Sequence, residues 1–186
     1  MSVSFWNDKV KNNKSDKCKV SKDIIIIGGG IAGVSTAYWL LKEDPSLEIG
    51  IVEKNLIGAG ATGRNAGFIT CGSVEHFNRM AGQYGLDLAT EIWSFSEENL
   101  KLLKEHVIKD KKEDVFFEEK GSFSLASEEN EFKELQKTAK LMTSMGIQVE
   151  LIDEKDVINR LGAEGFVGGI KYCDDASVNP ILLLRL

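Results

Sequence analysis

An α/β architecture, Rossmann-like and built around one parallel βαβ unit, is predicted by three observations. A β-branched run, Ile24-Ile25-Ile26-Ile27, stops abruptly at Gly28-Gly29-Gly30. An apolar stretch with helical spacing follows and leads into an alternating run that closes on Glu53. Between the runs the glycines fall as Gly28-x-Gly30-x-x-Gly33.

Each element has a physical reason. Residues 23 to 27 read as a strand buried on both faces, the pattern of a parallel sheet. Gly28 to Gly33 reads as a turn. Val34 to Lys42 reads as a helix whose Ala37, Leu40 and Leu41 face the sheet. Asp44-Pro45-Ser46 breaks it. Leu47 to Glu53 reads as the second strand, which closes a crossover of roughly thirty residues, the usual size.

Residues 55 to 73 are rich in glycine and carry no trusted period. Leu86 to Lys109 reads as a long amphipathic helix with Leu88, Ile92, Phe95, Leu100, Leu103 and Val107 inward. Asp110 to Asp114 is a charged connection. Val115-Phe116-Phe117 and Ser122 to Ala126 read as short strands around a turn at Lys120-Gly121. Glu128 to Met145 reads as a helix closed by Gly146. Ile147 to Ile152 reads as a strand, and Asp153 to Leu161 as a short helix capped by Asp153. Val167 to Tyr172 reads as another strand. Asn179-Pro180 opens a last helix. Only six residues follow, fewer than such a helix needs, so the chain is expected to be a truncated piece of a longer protein.

Composition bounds the function. The 186 residues are 42% hydrophobic and 28% charged, a globular balance. The net charge of -6 gives nucleic-acid binding no electrostatic support. Lys9, Lys11, Lys14, Lys17, Lys19 and Lys22 read as a solvated N-terminus. Cys18, Cys71 and Cys173 are widely spaced and neither His76 nor His106 completes a ligand set, which excludes a zinc or disulfide framework and fits a reducing, cytoplasmic compartment. Ile24 to Leu41 carries no charge and follows lysines, as a signal anchor would. Its three central glycines would each cost a helix about 1 kcal/mol relative to alanine, and strand, turn and helix account for the same residues.

The glycine pattern gains its meaning from context. Gly28 permits the tight turn, Gly30 clears the path of a pyrophosphate, and Gly33 lets helix and strand approach. The helix start, at Ile31 and Ala32, offers free N–H groups and a partial positive charge to phosphate. Glu53, with Lys54 after it, lies about twenty residues on, where a carboxylate accepts ribose hydroxyls and repels a ribose phosphate. This selects a dinucleotide without separating FAD from NAD. The loop Gly60-Ala61-Thr62-Gly63-Arg64-Asn65-Ala66-Gly67-Phe68 argues for FAD. Its small residues let backbone lie against a flat or phosphorylated group, and Thr62, Arg64 and Asn65 add polar groups.

These two motifs together resemble the FAD-dependent amine and amino-acid oxidoreductases, the family of D-amino-acid oxidase, glycine oxidase and sarcosine oxidase. Asp175-Ala176-Ser177-Val178-Asn179-Pro180 is similar to the family's return segment, with Ala176 where glycine is usual. Ser4-Phe5-Trp6 also resembles bacterial members. The resemblance implies a discontinuous Rossmann-like FAD-binding domain with part of an α+β substrate domain. Residues 1–22 would be an extension, 23–73 the first part of the FAD domain, 74–172 the substrate-domain excursion and 173–186 the return. The cofactor-binding set would be Gly28, Gly30, Ile31, Ala32, Gly33, Glu53, Lys54 and residues Gly60 to Phe68. It implies hydride transfer from the carbon beside an amine to flavin, giving an imine that water hydrolyses. The partners implied are a small amine or amino acid, and a missing C-terminal half or a second copy.

No catalytic base is legible. His76 could lie near the flavin or simply pack. Cys71 could approach the flavin or be an ordinary buried thiol. Phe116, Phe117 and Phe123 could line a pocket or belong to core. Two rival readings remain: an NAD-linked dehydrogenase, and a non-catalytic dinucleotide-binding fragment.

Overall fold

The computed structural model describes residues 21–186. The lysines at positions 9 to 19, Cys18 and Ser4-Phe5-Trp6 lie outside these residues. The chain forms two compact units. The first holds residues 21–67, 113–115 and 178–186, and the second holds 68–112 and 116–177.

In the first unit, β1 (Ile24–Ile27) pairs in parallel with β2 (Ile49–Val52), with Ile26 opposite Ile51. Between them runs α1 (Ile31–Glu43). The helix therefore begins three residues before the expected Val34. The chain turns within Gly28 to Gly30, and Gly33 falls inside the first helical turn. The expectation of a strand buried on both faces also fails. Ile27 is 89% exposed and Val52 55%. Ile25, Ile27 and Val52 share the face opposite Ile26, which packs toward α1. Among the described residues of this unit, α1 gives apolar cover to one face of the two-stranded sheet, and the other face stays open. A further helix, α6 (Pro180–Leu183), opens as Pro180 predicts, its first N–H groups capped by the Asn179 side chain.

The second unit is antiparallel. Strands β4 (Ser122–Ala126), β5 (Val149–Asp153) and β6 (Gly168–Tyr172) form a sheet in the order β4-β6-β5. A small ladder joins β3 (Phe68–Ile69) to β7 (Ala176–Ser177). The helices α4 (Glu129–Ser144) and α5 (Glu154–Leu161) cover the three-stranded sheet as their periods predict. Glu128 and Glu131 form a reciprocal capping box on α4, and Asp153 accepts from the Asp156 N–H at the start of α5.

Three readings need correction. Val115 and Phe116 lie in a turn and Phe117 in no strand, with Phe116 at φ 51° and exposed. Residues 74 to 84, given no element from sequence, form α2 (Val74–Tyr84), capped by the Ser73 hydroxyl. The long helix is α3 (Leu86–Leu102), which continues as a π-helical turn over Leu103–Ile108. Its inner face is Ala89, Trp93, Leu100 and Ile108. Leu100 is buried as its position in the stripe predicts, whereas Leu88 and Phe95 are exposed. Trp93 fixes the true face by packing against Phe77 and Tyr172, each at 6.0 Å between ring centres.

A buried carboxylate ties the second unit together. Asp175 is 2% exposed. It accepts from the Ser122 hydroxyl at 2.5 Å and the Cys71 N–H at 3.2 Å. Burial, and the neighbouring Asp174 charge, push its carboxyl above its ordinary value against the pull of those two hydrogen bonds. The raised group supports folding most at pH below 3.8, the ordinary value, and that support fades as pH climbs through the folded value. Asp175→Asn can still accept from Cys71 N–H and donate to the rotatable Ser122 hydroxyl. Its stability relative to wild type should therefore rise between pH 4 and pH 7. Asp175→Ala orphans the Cys71 N–H and should cost about 2 kcal/mol. Thermal melts of both variants across that pH range test the pair.

Candidate cofactor site

The glycine turn is built by three different demands. Gly28 donates its N–H to the Val52 carbonyl at 2.8 Å, which extends the parallel pairing. It then takes φ +114°, a left-handed conformation that reverses the chain. Gly33 lies against the turn itself. A Cβ there would sit 2.0 Å from the Gly28 carbonyl oxygen and 3.3 Å from Ile26 Cγ2. Gly30 is the helix N-cap and has no side chain to satisfy the first N–H groups. The cap comes instead from the Thr62 hydroxyl, which accepts from the Ile31 N–H at 2.9 Å. A Cβ on Gly30 would meet only that hydroxyl oxygen, at 3.1 Å.

Glu53 is tied into the same turn. Its Oε2 accepts from the Gly29 N–H at 2.9 Å and its Oε1 from the Asn55 N–H at 2.8 Å. The Gly29 hydrogen bond first, then that of Asn55, with help from Lys54, hold the carboxyl below its ordinary value. Each carboxylate oxygen has a second lone pair, so ribose hydroxyls can still donate to it. Gly58 donates to the Gly29 carbonyl at 2.9 Å, which pins the next segment beside the turn. Gly29 and Gly58 lie outside the cofactor-binding set that the resemblance implies. The uninterrupted triple glycine was the available signal for Gly29.

The second glycine loop folds on itself. Ala61–Arg64 form a 3-10 turn with Thr62 and Gly63 buried. The Asn65 amide donates to the carbonyls of Ala61 at 3.1 Å and Thr62 at 2.7 Å, while its oxygen accepts from the Gly67 N–H at 2.7 Å. Through these hydrogen bonds the amide shapes the loop. Gly67 takes φ +79° and accepts from the Val178 N–H.

The fold thus joins Gly29 to Glu53, and Gly30 and Ile31 to Thr62, within the first unit. Ala32 starts the helix beside them. Lys54, Gly60, Ala61, Arg64 and Ala66 are exposed in the same unit. Phe68 opens β3 in the second unit and is exposed.

This arrangement fits a dinucleotide. The N–H groups of Ala32 and Gly33 have no acceptor within the helix, because a helix start leaves them none. They add to the positive end of a 13-residue helix. Glycine at 30 leaves that end open to a phosphate, and an ionised Glu53 waits at the strand end.

A family model described as FAD dependent oxidoreductase matches residues 23–186. The chain belongs to the FAD-dependent oxidoreductase family. The cofactor of this family is FAD, and the mixed helix-and-sheet fold is the family's own. Sarcosine oxidase subunit beta of Rhodobacter capsulatus is 28% identical over 143 residues, covering 77% of this chain and 31% of that protein. The mitochondrial L-2-hydroxyglutarate dehydrogenase of Dictyostelium discoideum is 27% identical over 149 residues, covering 79% and 30%. Glycine oxidase from Geobacillus kaustophilus superposes with a TM-score of 0.66 at 22% identity, covering 88% of this chain and 42% of that one. The chain therefore spans under half the length of these relatives.

The remaining candidates lie in the second unit. His76 donates its backbone N–H to Ser73 Oγ at 3.2 Å, and its residue lines a small cavity with Cys71, Phe77 and Trp93. Burial, then the charges of Asp175, Glu97 and Asp174, push the Cys71 thiol up to about 12. This favours the protonated thiol at neutral pH. Phe117 is buried, Phe123 lies under Lys171 and Phe116 is exposed. Among the described residues no cluster of His, Cys, Asp and Glu could hold a metal, and no helix is long and apolar enough to cross a membrane.

Proposed function

We propose that this chain is the ADP-binding part of a flavoenzyme that oxidises the C–N bond of a small amine or amino acid. The observation that carries the reading is the Gly28–Gly33 turn, closed by Glu53 on one side and Thr62 on the other. Residues 23–73 and 173–186 serve the cofactor, and 74–172 serve the substrate side. The Ala32 and Gly33 N–H groups receive the diphosphate. Glu53 accepts the adenosine ribose hydroxyls. Asn65 holds the loop from Gly60 to Gly67 in the shape that lets its backbone lie along the cofactor, and Phe68 extends that contact.

The chemistry that bound FAD supplies is acceptance of a hydride from the carbon beside the amine, which leaves an imine for water to hydrolyse. The sarcosine oxidase relative supports an amine substrate. The hydroxyglutarate dehydrogenase relative supports a second reading, oxidation of the C–O bond of a hydroxy acid. The rest of a longer protein, or a second copy, supplies what completes the substrate pocket. Two free thiols, Cys71 and Cys173, support a cytoplasmic setting. The test is anaerobic mixing of the FAD-loaded protein with N-methyl amino acids, amino acids and 2-hydroxy acids. Bleaching of the flavin absorbance by an amine supports the proposal, bleaching by hydroxy acids alone supports the second reading, and bleaching by none contradicts both.

A further inference from the structure

We propose that the open face of the small β3–β7 ladder is a recognition surface for a cationic amine, walled by the Phe68 and Phe116 rings and the Glu118 carboxylate. The proposal rests on the amine reading above and adds to it a surface that selects a charged nitrogen over an anionic hydroxy acid.

The ladder has two unlike faces. Phe68 and Glu118 each pair with Ser177, from its two sides. Directly paired residues point to one face, so Phe68, Ser177 and Glu118 form a single row. Their chain neighbours Phe117 and Ala176 turn the other way and are buried. On the open face Phe68 is 72% exposed and the Glu118 side chain 54%. The small Ser177 between them leaves a trough about 10 Å across, two strand spacings. Phe116, two residues before Glu118, adds a second ring that is 68% exposed. All four residues belong to the second unit.

Their chemistry selects the occupant. Phe116 takes φ 51°, a conformation that costs a bulky residue energy and glycine almost none. The chain thus holds an exposed ring under strain, and what the ring meets explains it. A wholly apolar partner would suit the rings and take the Glu118 carboxylate out of water without a mate. An anion would be repelled. A substituted ammonium answers both, because aromatic faces attract a cation and the carboxylate pairs with its charge. Glu118 has capacity for it. Lys120 reaches only Oε2, at 2.9 Å, and its side chain is 76% exposed, which makes that pair weak. Phe68 is joined directly to Gly67, the last glycine of the loop assigned to the cofactor.

The test uses the whole chain with FAD supplied. The probes are N-methylbutylamine, butyl methyl ether and 2-hydroxybutyrate, titrated by ligand-observed NMR. The amine should bind about tenfold more tightly than the neutral ether or the hydroxy acid. Phe116→Leu and Glu118→Gln should each weaken the amine by about threefold or more and leave FAD affinity unchanged. Phe116→Gly should melt no lower than wild type, since glycine takes this backbone freely, and still lose amine binding. A ring with a purely structural role would show the reverse. An ether that binds like the amine, or a hydroxy acid that binds more tightly, overturns the proposal. So does a Phe116→Gly or Glu118→Gln chain that binds the amine like wild type. Self-association of wild type that Phe116→Gly abolishes, with amine binding unchanged, also overturns it and makes the face an interface between copies. Amine binding that the variants weaken, without bleaching of the flavin by the amine, supports the surface and overturns the C–N reading.

Discussion

Replacing Gly33 with alanine is expected to break the βαβ unit, whereas replacing Gly30 with valine should leave it standing and empty the cofactor site. At Gly33 the new Cβ would lie 2.0 Å from the Gly28 carbonyl oxygen. That oxygen is backbone in a turn already fixed by the Gly28 and Gly29 hydrogen bonds, so α1 must lift off β1. The expected loss is about 3 kcal/mol, the upper end for overpacking and a large share of a domain's stability. At Gly30 the backbone is extended, with φ -89°, and any L-residue can adopt it. A Cβ there meets only Thr62 Oγ1, at 3.1 Å. Stability should change by about 1 kcal/mol or less, yet the side chain occupies the path of the diphosphate. Thermal melts and flavin occupancy measured on both variants separate the two roles. Equal melting temperatures for the two variants, or full flavin occupancy in Gly30→Val, would refute this assignment of the turn.

The second large effect is expected at Glu53. Its two oxygens accept backbone hydrogen bonds from Gly29 and Asn55, and its second lone pairs face the task of binding ribose. Glu53→Gln keeps the shape but exchanges one acceptor for a donor, which then opposes an N–H group. FAD affinity should fall by roughly tenfold or more. The carboxyl lies below its ordinary value in the fold, so its support is complete above pH 4.5 and is lost as pH falls through the lowered folded value. Wild-type FAD release should therefore accelerate at acid pH, with Glu53→Gln showing high release throughout. Stopped-flow release measured against pH tests this. A glutamine variant with the wild-type acid step would exclude Glu53 as its source.

The parts of the fold that were legible in sequence are those with local causes. The isoleucine run, the glycine spacing and the Asn179-Pro180 and Asp153 caps each specify their own neighbourhood, and the structure forms β1, α1, α5 and α6 there. The errors have equally physical sources. Val115-Phe116-Phe117 has strand composition, yet Phe116 adopts φ 51° and Val115 is buried in the first unit, so tertiary placement overrides propensity. In α3 the apolar Leu88 and Phe95 stay exposed, because the buried face is set by Trp93, Leu100 and small Ala89. Isoleucines in β1 signalled two covered faces, and one of those faces stays open within the described residues.

For the site, the sequence indicated which residues to consider but not how they connect. The pairing of Ile31 with Thr62 spans 31 residues, and that of Gly29 with Glu53 spans 24. No periodicity reports such contacts. Asn65 looked like a ligand donor because amides are versatile, and only the folded loop shows its hydrogen bonds directed inward.

The most direct test of the central claim is the visible absorption spectrum of the chain purified with FAD and NAD both supplied, followed by chromatographic identification of the released cofactor. A flavin spectrum with FAD as the released species is the expected result. A colourless chain that carries NAD, or that carries no dinucleotide at all, would contradict the assignment.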